Sequence, residues 1–232
     1  MRRCSTIANA HPRTARPEPG LTQRLETGAE LRVTGATASL VAVVCVNGGQ
    51  AASVPGTWSA TLEWLVRRLA PRLPGLRFAE VRYRVKSWNR LGECIDDAQA
   101  AIEAVAAERI LLVGFSMGGA VSVACAGDPR VAAVLGLAPW IPDRLSVEPL
   151  RGKRLRVLHG SLDRALPGIP GVSPASARHA FERARAIGVE GELTVIPGGL
   201  HGLALRARNG VLVPLPRARR FAAFAEQEIR RL

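Results

Sequence analysis

Two hydrophobic periods alternate along the 232-residue chain. LVAVVCV (40–46), RILLVGF (109–115), VAAVLGLA (131–138), LRVLHG (155–160) and GELTVIPG (191–198) are short runs rich in branched apolar side chains. Runs of this kind predict strands, several of them covered on both faces. Between them the spacing turns helical: Trp58, Leu62, Leu65, Val66 and Leu69 before Pro71, then Ile95, Ala98, Ile102 and Val105 within 92–107. Further helices are predicted over 117–126, 174–187 and 216–231. RFAEVRYRVK (77–86) sets Ala79, Val81, Tyr83 and Val85 against Glu80, Arg82, Arg84 and Lys86, which predicts a strand with one wet face near a sheet edge. LTQRLETGAELRVTGA (21–36) reads as a small hairpin. Residues 1–20 carry three prolines and no period, so they predict a flexible N-terminal arm before a single domain over 21–232.

Strands alternating with helices through the whole chain predict an α/β fold: a mostly parallel central sheet with helices on both faces. In such sheets ligands bind at the carboxyl ends of the strands. The loops that follow the predicted strands are therefore where candidate chemistry is sought.

Composition adjusts this picture modestly. Hydrophobic residues make up 47% of the chain, enough for a substantial core. No apolar run approaches the roughly 20 residues of a membrane-spanning helix. The N-terminus has no apolar core of a secretory signal, so a cytoplasmic protein is expected. The net charge of +13 raises the question of nucleic acid. The arginines, however, are spread along the chain, with small clusters at 217–220 and 230–231, and aromatics are 4%, so nucleic-acid binding is not expected. Only Lys86 and Lys153 are lysines. Cys4, Cys45, Cys94 and Cys125 are too scattered for a metal cluster, and Cys45 and Cys125 read as small core residues. No metal or cofactor site is expected.

The candidate chemistry starts at ERILLVGFSMGGAVSVACA (108–126), where a strand gives way to a helix at Gly114-Phe-Ser116-Met-Gly118. A nucleophile held at so sharp a turn tolerates no bulky neighbours, and the glycines leave room for it. Gly119 is expected to let the helix approach the sheet. The turn lifts the Ser116 hydroxyl clear of the strand and leaves the Met117 amide free to face a developing oxyanion. A serine needs a base, and the base an orienting acid. Of the four histidines, His11 lies in the arm, His159 reads as a structural residue at a strand end, and His179 as a surface residue of a charged helix. His201, in GGLHG after the last strand, is placed to reach Ser116. Asp163, in GSLDRALP, supplies the acid in the order Ser–Asp–His; Asp143, in WIPDR, is the competitor. Asp96 and Asp97 read as helix-start residues opposing the dipole, and Asp128 as a turn residue. The second oxyanion donor is expected from Asn47-Gly48-Gly49-Gln50, as the amide of Gly49 or of Gln50.

In order along the chain, NGGQ, GFSMGG, HGSLDRALP and GGLHG resemble the corresponding loops of the α/β-hydrolase superfamily over about residues 30–232. The resemblance implies an α/β-hydrolase fold and a small serine hydrolase. Asn47 stands where many relatives have His. The segment PWIPDRLSVEPLRGKR (139–154) is too short for the helical cap that many relatives insert, so a lidless site, as in small esterases and dienelactone-hydrolase-like proteins, is expected. Dienelactone hydrolases carry Cys at the position of Ser116, and their chemistry is not transferred. The expected activity is cleavage of a small carboxylic ester or thioester through an acyl-enzyme, with Trp58, Trp88 and Trp140 as a possible substrate pocket and Arg164 as a possible anion contact. The alternative is a non-catalytic binding protein that kept the fold.

Overall fold

In a computed structural model the described residues are 20–164 and 171–232. Cys4, His11 and all but the last residue of the expected arm lie outside them. Among the described residues twelve strands run in chain order: β1 (Leu21–Arg24), β2 (Glu30–Gly35), β3 (Val41–Val46), β4 (Val54–Pro55), β5 (Arg77–Arg82), β6 (Val85–Lys86), β7 (Arg109–Phe115), β8 (Val131–Leu137), β9 (Arg154–Gly160), β10 (Glu190–Ile196), β11 (Ala204–Arg206) and β12 (Leu212–Pro214). The helices are α1 (Ala60–Leu69), α2 (Leu91–Val105), α3 (Gly118–Cys125), α4 (Pro174–Ala186) and α5 (Ala218–Ile229).

The main sheet has the order β1-β2-β5-β3-β7-β8-β9-β10. From β5 to β10 every pairing is parallel, and the β1–β2 hairpin joins antiparallel on the β5 side. Alternate residues of the central strands feed two cores. Val44 and Val46 pack with Ala98, Ile102, Val121, Ala180 and other residues of α2, α3 and α4. Val43 and Cys45 pack on the opposite face with Leu62, Leu65 and Phe221 of α1 and α5. This two-sided covering is why these strands read as unbroken apolar runs. From β3 the chain crosses to β5 on one side and then returns to β7 on the other. That reversal opens a crevice at the carboxyl ends of β3 and β7, the usual ligand position in such sheets. Between β8 and β9 the described chain makes only a short 3-10 turn at Glu148–Leu150, and no large cap is present there.

The segment 77–86 departs from expectation. It lies third from the sheet edge, and Phe78, Ala79, Glu80 and Val81 are all buried. The polar side of β5 is covered by charge pairing: Arg32 of β2 donates to both oxygens of Glu80 (3.0 and 2.8 Å) and also reaches Glu63 of α1 (3.0 Å). Burial pushes the Glu80 carboxyl above its ordinary value, and the Arg32 contacts only partly offset this. The strand ends at Arg82 because Tyr83 turns inward, its hydroxyl donating to the Asn47 carbonyl (2.9 Å), after which β6 pairs with β4 instead. A second departure is Asp97. The helix begins at Leu91, so Asp97 lies in its second turn, fully buried, where it accepts from the Arg84 backbone N–H (2.8 Å) and Nε (2.7 Å). It anchors the chain after β5 rather than opposing a dipole.

Candidate active site

Four strand ends build the site. At the end of β7, Ser116 sits at φ 53°, the left-handed region that L residues rarely occupy. Its backbone is held on both sides: its N–H donates to Leu137 O (3.1 Å), and its carbonyl accepts from Gly119 (2.9 Å) and Trp140 (2.8 Å). The glycine requirement is backbone proximity. A Cβ on Gly114 would lie 2.3 Å from Gly118 O, and one on Gly118 would lie 2.1 Å from Val46 O at the end of β3. It is thus Gly118 that brings α3 against the sheet, while Gly119 makes room for Pro139.

His201 follows β10. Its Nε2 lies 3.0 Å from Ser116 Oγ and its Nδ1 2.8 Å from Asp163 Oδ2. The two loops carrying these residues are stitched to each other: Ser161 N–H donates to Ile196 O (3.0 Å), Leu162 N–H to Gly199 O (2.9 Å), and Gly198 N–H to Ser161 Oγ (2.9 Å). Thr61 of α1 fixes the far side of the histidine loop by accepting from Leu203 N–H (3.1 Å). The Phe115 ring lies 5.2 Å, centroid to centroid, from the imidazole. Asp143 does not compete for this place. It is 78% exposed and pairs with His179 (3.3 Å) and Arg183 (3.4 Å) on the surface.

The partners of His159 give its structural role a definite form. The ring is fully buried, with Nε2 2.8 Å from Val172 O and 3.1 Å from Asp163 Oδ2. A nitrogen between two oxygens carries its hydrogen, so Asp163 is approached by Val172 N–H (3.0 Å), His159 and His201 together. Burial alone would push the Asp163 carboxyl up, but the hydrogen bonds from the two histidines outweigh it and hold the group below its ordinary value. The signal available in the sequence was the four-residue spacing of His159 and Asp163 across the tight turn after β9.

The loop after β3 lies directly against the serine turn. A Cβ on Gly48 would stand 3.1 Å from Ser116 Cβ, and one on Gly49 would stand 2.3 Å from Met117 Sδ. Asn47 braces this loop from within: Oδ1 accepts from Gly48 N–H (2.7 Å) and Nδ2 donates to Thr57 O (2.8 Å). Among the described residues the amides of Met117, Gly49 and Gln50 donate to no acceptor. The arrangement can therefore move a proton from an alcohol to an imidazole beside free amides suited to a developing negative charge.

Two cavities border the Ser116–His201 pair, one at each partner. One of about 190 Å³ is lined by Ser116, Met117, Trp88, Trp140, Gly171 and Val172, with the two indole rings 6.4 Å apart. The other, about 630 Å³, includes Trp58, Phe115, His201, Leu205 and Leu215. All three expected tryptophans thus border the site. Trp58 is also gripped by guanidinium groups, with Arg32 4.4 Å and Arg82 5.5 Å from its ring centre. The buried thiols lie outside both cavities, and burial pushes Cys94 up to about 11 and Cys125 up to about 12, which suits inert core residues. Among the described residues no group of three or more His, Cys, Asp or Glu is arranged to hold a metal ion, and no helix is long and apolar enough to cross a membrane.

Residues 43–230 match the alpha/beta hydrolase family, and the chain belongs to that family. No curated protein matches it at a significant level. Among solved structures, a dienelactone hydrolase-like promiscuous phosphotriesterase from metagenomic libraries aligns with TM-score 0.67 and 16% identity, over 92% of this chain and 99% of that one. A thermophilic esterase of the Planctomycetes species Thermogutta terrifontis, with butyrate bound, gives 0.61 and 17%, over 92% of each chain. An alpha-beta serine hydrolase homologue from Coxiella burnetii gives 0.64 and 17%, over 91% of this chain and 97% of that one. At such identities the likeness is one of fold.

Proposed function

We propose that the protein is a serine hydrolase that cleaves a small carboxylic ester or thioester through an acyl-enzyme. The observation that carries this reading is the unbroken relay from Ser116 Oγ through the His201 ring to Asp163, at 3.0 and 2.8 Å. Ser116 Oγ attacks the substrate carbonyl carbon as its proton passes to His201 Nε2. Asp163 accepts from Nδ1–H, fixing the tautomer and stabilising the imidazolium that forms. The amides of Met117 and of Gly49 or Gln50 take the oxyanion. His201 then protonates the departing alcohol or thiol. In the second half, His201 draws a proton from water, the resulting hydroxide attacks the acyl carbon, and collapse returns the proton to Ser116 with release of the acid. Acyl transfer by this relay requires no metal or organic cofactor.

The experiment is Ser116→Ala. Turnover of p-nitrophenyl acetate should fall by at least about a thousandfold, and labelling by a fluorophosphonate probe should vanish. A variant that keeps wild-type turnover would remove Ser116 from the mechanism.

A further inference from the structure

Resting on the serine-hydrolase reading, we propose that the larger cavity is a subsite for an anionic group held by Lys86. The ester taken then carries a carboxylate remote from the scissile carbonyl.

The 630 Å³ cleft has as its ionic lining residues Lys86, Asp163, Arg164 and Arg206, apart from the imidazole of His201. Asp163 is committed to the two histidines, and Arg206 to Glu63 (2.8 Å). That leaves two cations. Arg164 is exposed at the mouth. Lys86 is half-buried, and among the described residues its ammonium contacts only a neutral partner, Thr57 Oγ1 at 3.0 Å, with no carboxylate within salt-bridge distance. It does not dangle from a free loop: it lies in β6, paired to Val54 of β4, where Gly56 packs so tightly on Tyr83 that a Cβ would meet its carbonyl at 1.7 Å.

Lys86 has given up part of its hydration along a largely apolar cleft and gained no counter-charge. Burial accordingly pushes the Lys86 amine below its ordinary value. An arriving anion restores what the site lacks, and the surrounding apolar surface strengthens the attraction by excluding water. The identity of the residue fits this use. The chain has 30 arginines among its 32 basic residues, and its only other lysine, Lys153, bonds the Asp128 carbonyl away from the cleft. The Lys86 ammonium is a compact charge with three rotatable donors on a flexible stem, able to turn toward an anion entering the cleft. Phe115, Leu200 and Leu215 line the cleft along with Lys86 and His201 and offer the spacer its walls.

The test uses the full chain and two matched pairs of esters. One pair sets the p-nitrophenyl hemiester of a dicarboxylic acid against its uncharged methyl-capped counterpart, placing the anion on the acyl side. The other sets the acetate ester of a hydroxy acid against that of the hydroxy acid's methyl ester, placing it on the alcohol side. In at least one pair the anionic member should lead by about tenfold in kcat/KM. Lys86→Met, which keeps the apolar stem, should bring that ratio to about one, whereas Arg219→Met, which removes a positive charge outside the cleft, should leave it intact. If Lys86→Met fails to fold, wild type still decides. Raising salt from about 0.01 M to about 1 M shrinks the screening length from about 30 to about 3 Å and should erode the preference. Equal rates within both pairs, or a preference that survives Lys86→Met, overturn the subsite while leaving the serine-hydrolase reading standing. No turnover of any ester, or full activity in Ser116→Ala, overturns both.

Discussion

Replacing His159 by leucine separates the two ways a structural ring at a strand end can act, by packing and by hydrogen bonding. Leucine keeps the apolar bulk but abolishes the shared hydrogen that lies between Val172 O (2.8 Å) and Asp163 Oδ2 (3.1 Å). The Val172 carbonyl is left without that donor, and a fully buried carboxylate loses one of three N–H partners. Each of these losses costs about 1–3 kcal/mol. Against them, the substitution removes the unpartnered buried Nδ1 of His159, worth about 1 kcal/mol. The balance is a destabilisation of about 1–5 kcal/mol at neutral pH. The pH dependence has a definite sign. Asp163 is held below its ordinary value in the fold, so its contribution is present above the unfolded carboxyl pKa of about 3.9 and is lost as pH falls through the folded value. The gap between wild type and His159→Leu should therefore be widest near pH 7 and narrow steadily toward pH 3. Urea unfolding followed by circular dichroism at several pH values measures it. Equal stability of the two proteins at pH 7, or a gap that widens on acidification, would refute the argument that His159 supports the Asp163 carboxylate.

Two further perturbations test the neighbouring loops. Asn47→Ala removes both the acceptor for Gly48 N–H (2.7 Å) and the donor to Thr57 O (2.8 Å); kcat/KM for p-nitrophenyl acetate should drop about ten- to a hundredfold, with the circular dichroism spectrum unchanged. Gly118→Ala would drive a methyl to 2.1 Å from the Val46 carbonyl and should cost about 2 kcal/mol or more, whereas Gly92→Ala, with nothing within 4 Å on an α2 turn, should add about 0.5–1 kcal/mol; the two melting temperatures should move in opposite directions.

The features legible in the sequence share a local cause. Strands covered on both faces announce themselves as branched apolar runs, as at 40–46 and 109–115. The turn at Ser116 is marked by glycines that its backbone geometry demands, and Asp163 and His201 are found because parallel strands put their following loops at one end of the sheet. The features that escaped depend on residues far apart in the chain. Glu80 looks wet until Arg32, 48 positions earlier, is known to cover it. Asp97 looks like a helix-start residue until Arg84 folds onto it. The bracing of the loop after β3 by Asn47 likewise follows from a loop conformation that composition and periodicity do not encode, and the approach of His159 to Asp163 leaves only their four-residue spacing as a local trace.

Trp140 belongs to two structures at once: its indole walls the smaller chamber, and its main-chain amide grips the carbonyl of Ser116 at 2.8 Å. Whatever wedges between the two indoles therefore pulls on the very peptide that aims the hydroxyl. Crowding that chamber would misdirect the nucleophile as well as block it, so bulk there is penalised twice, once in fit and once in trajectory.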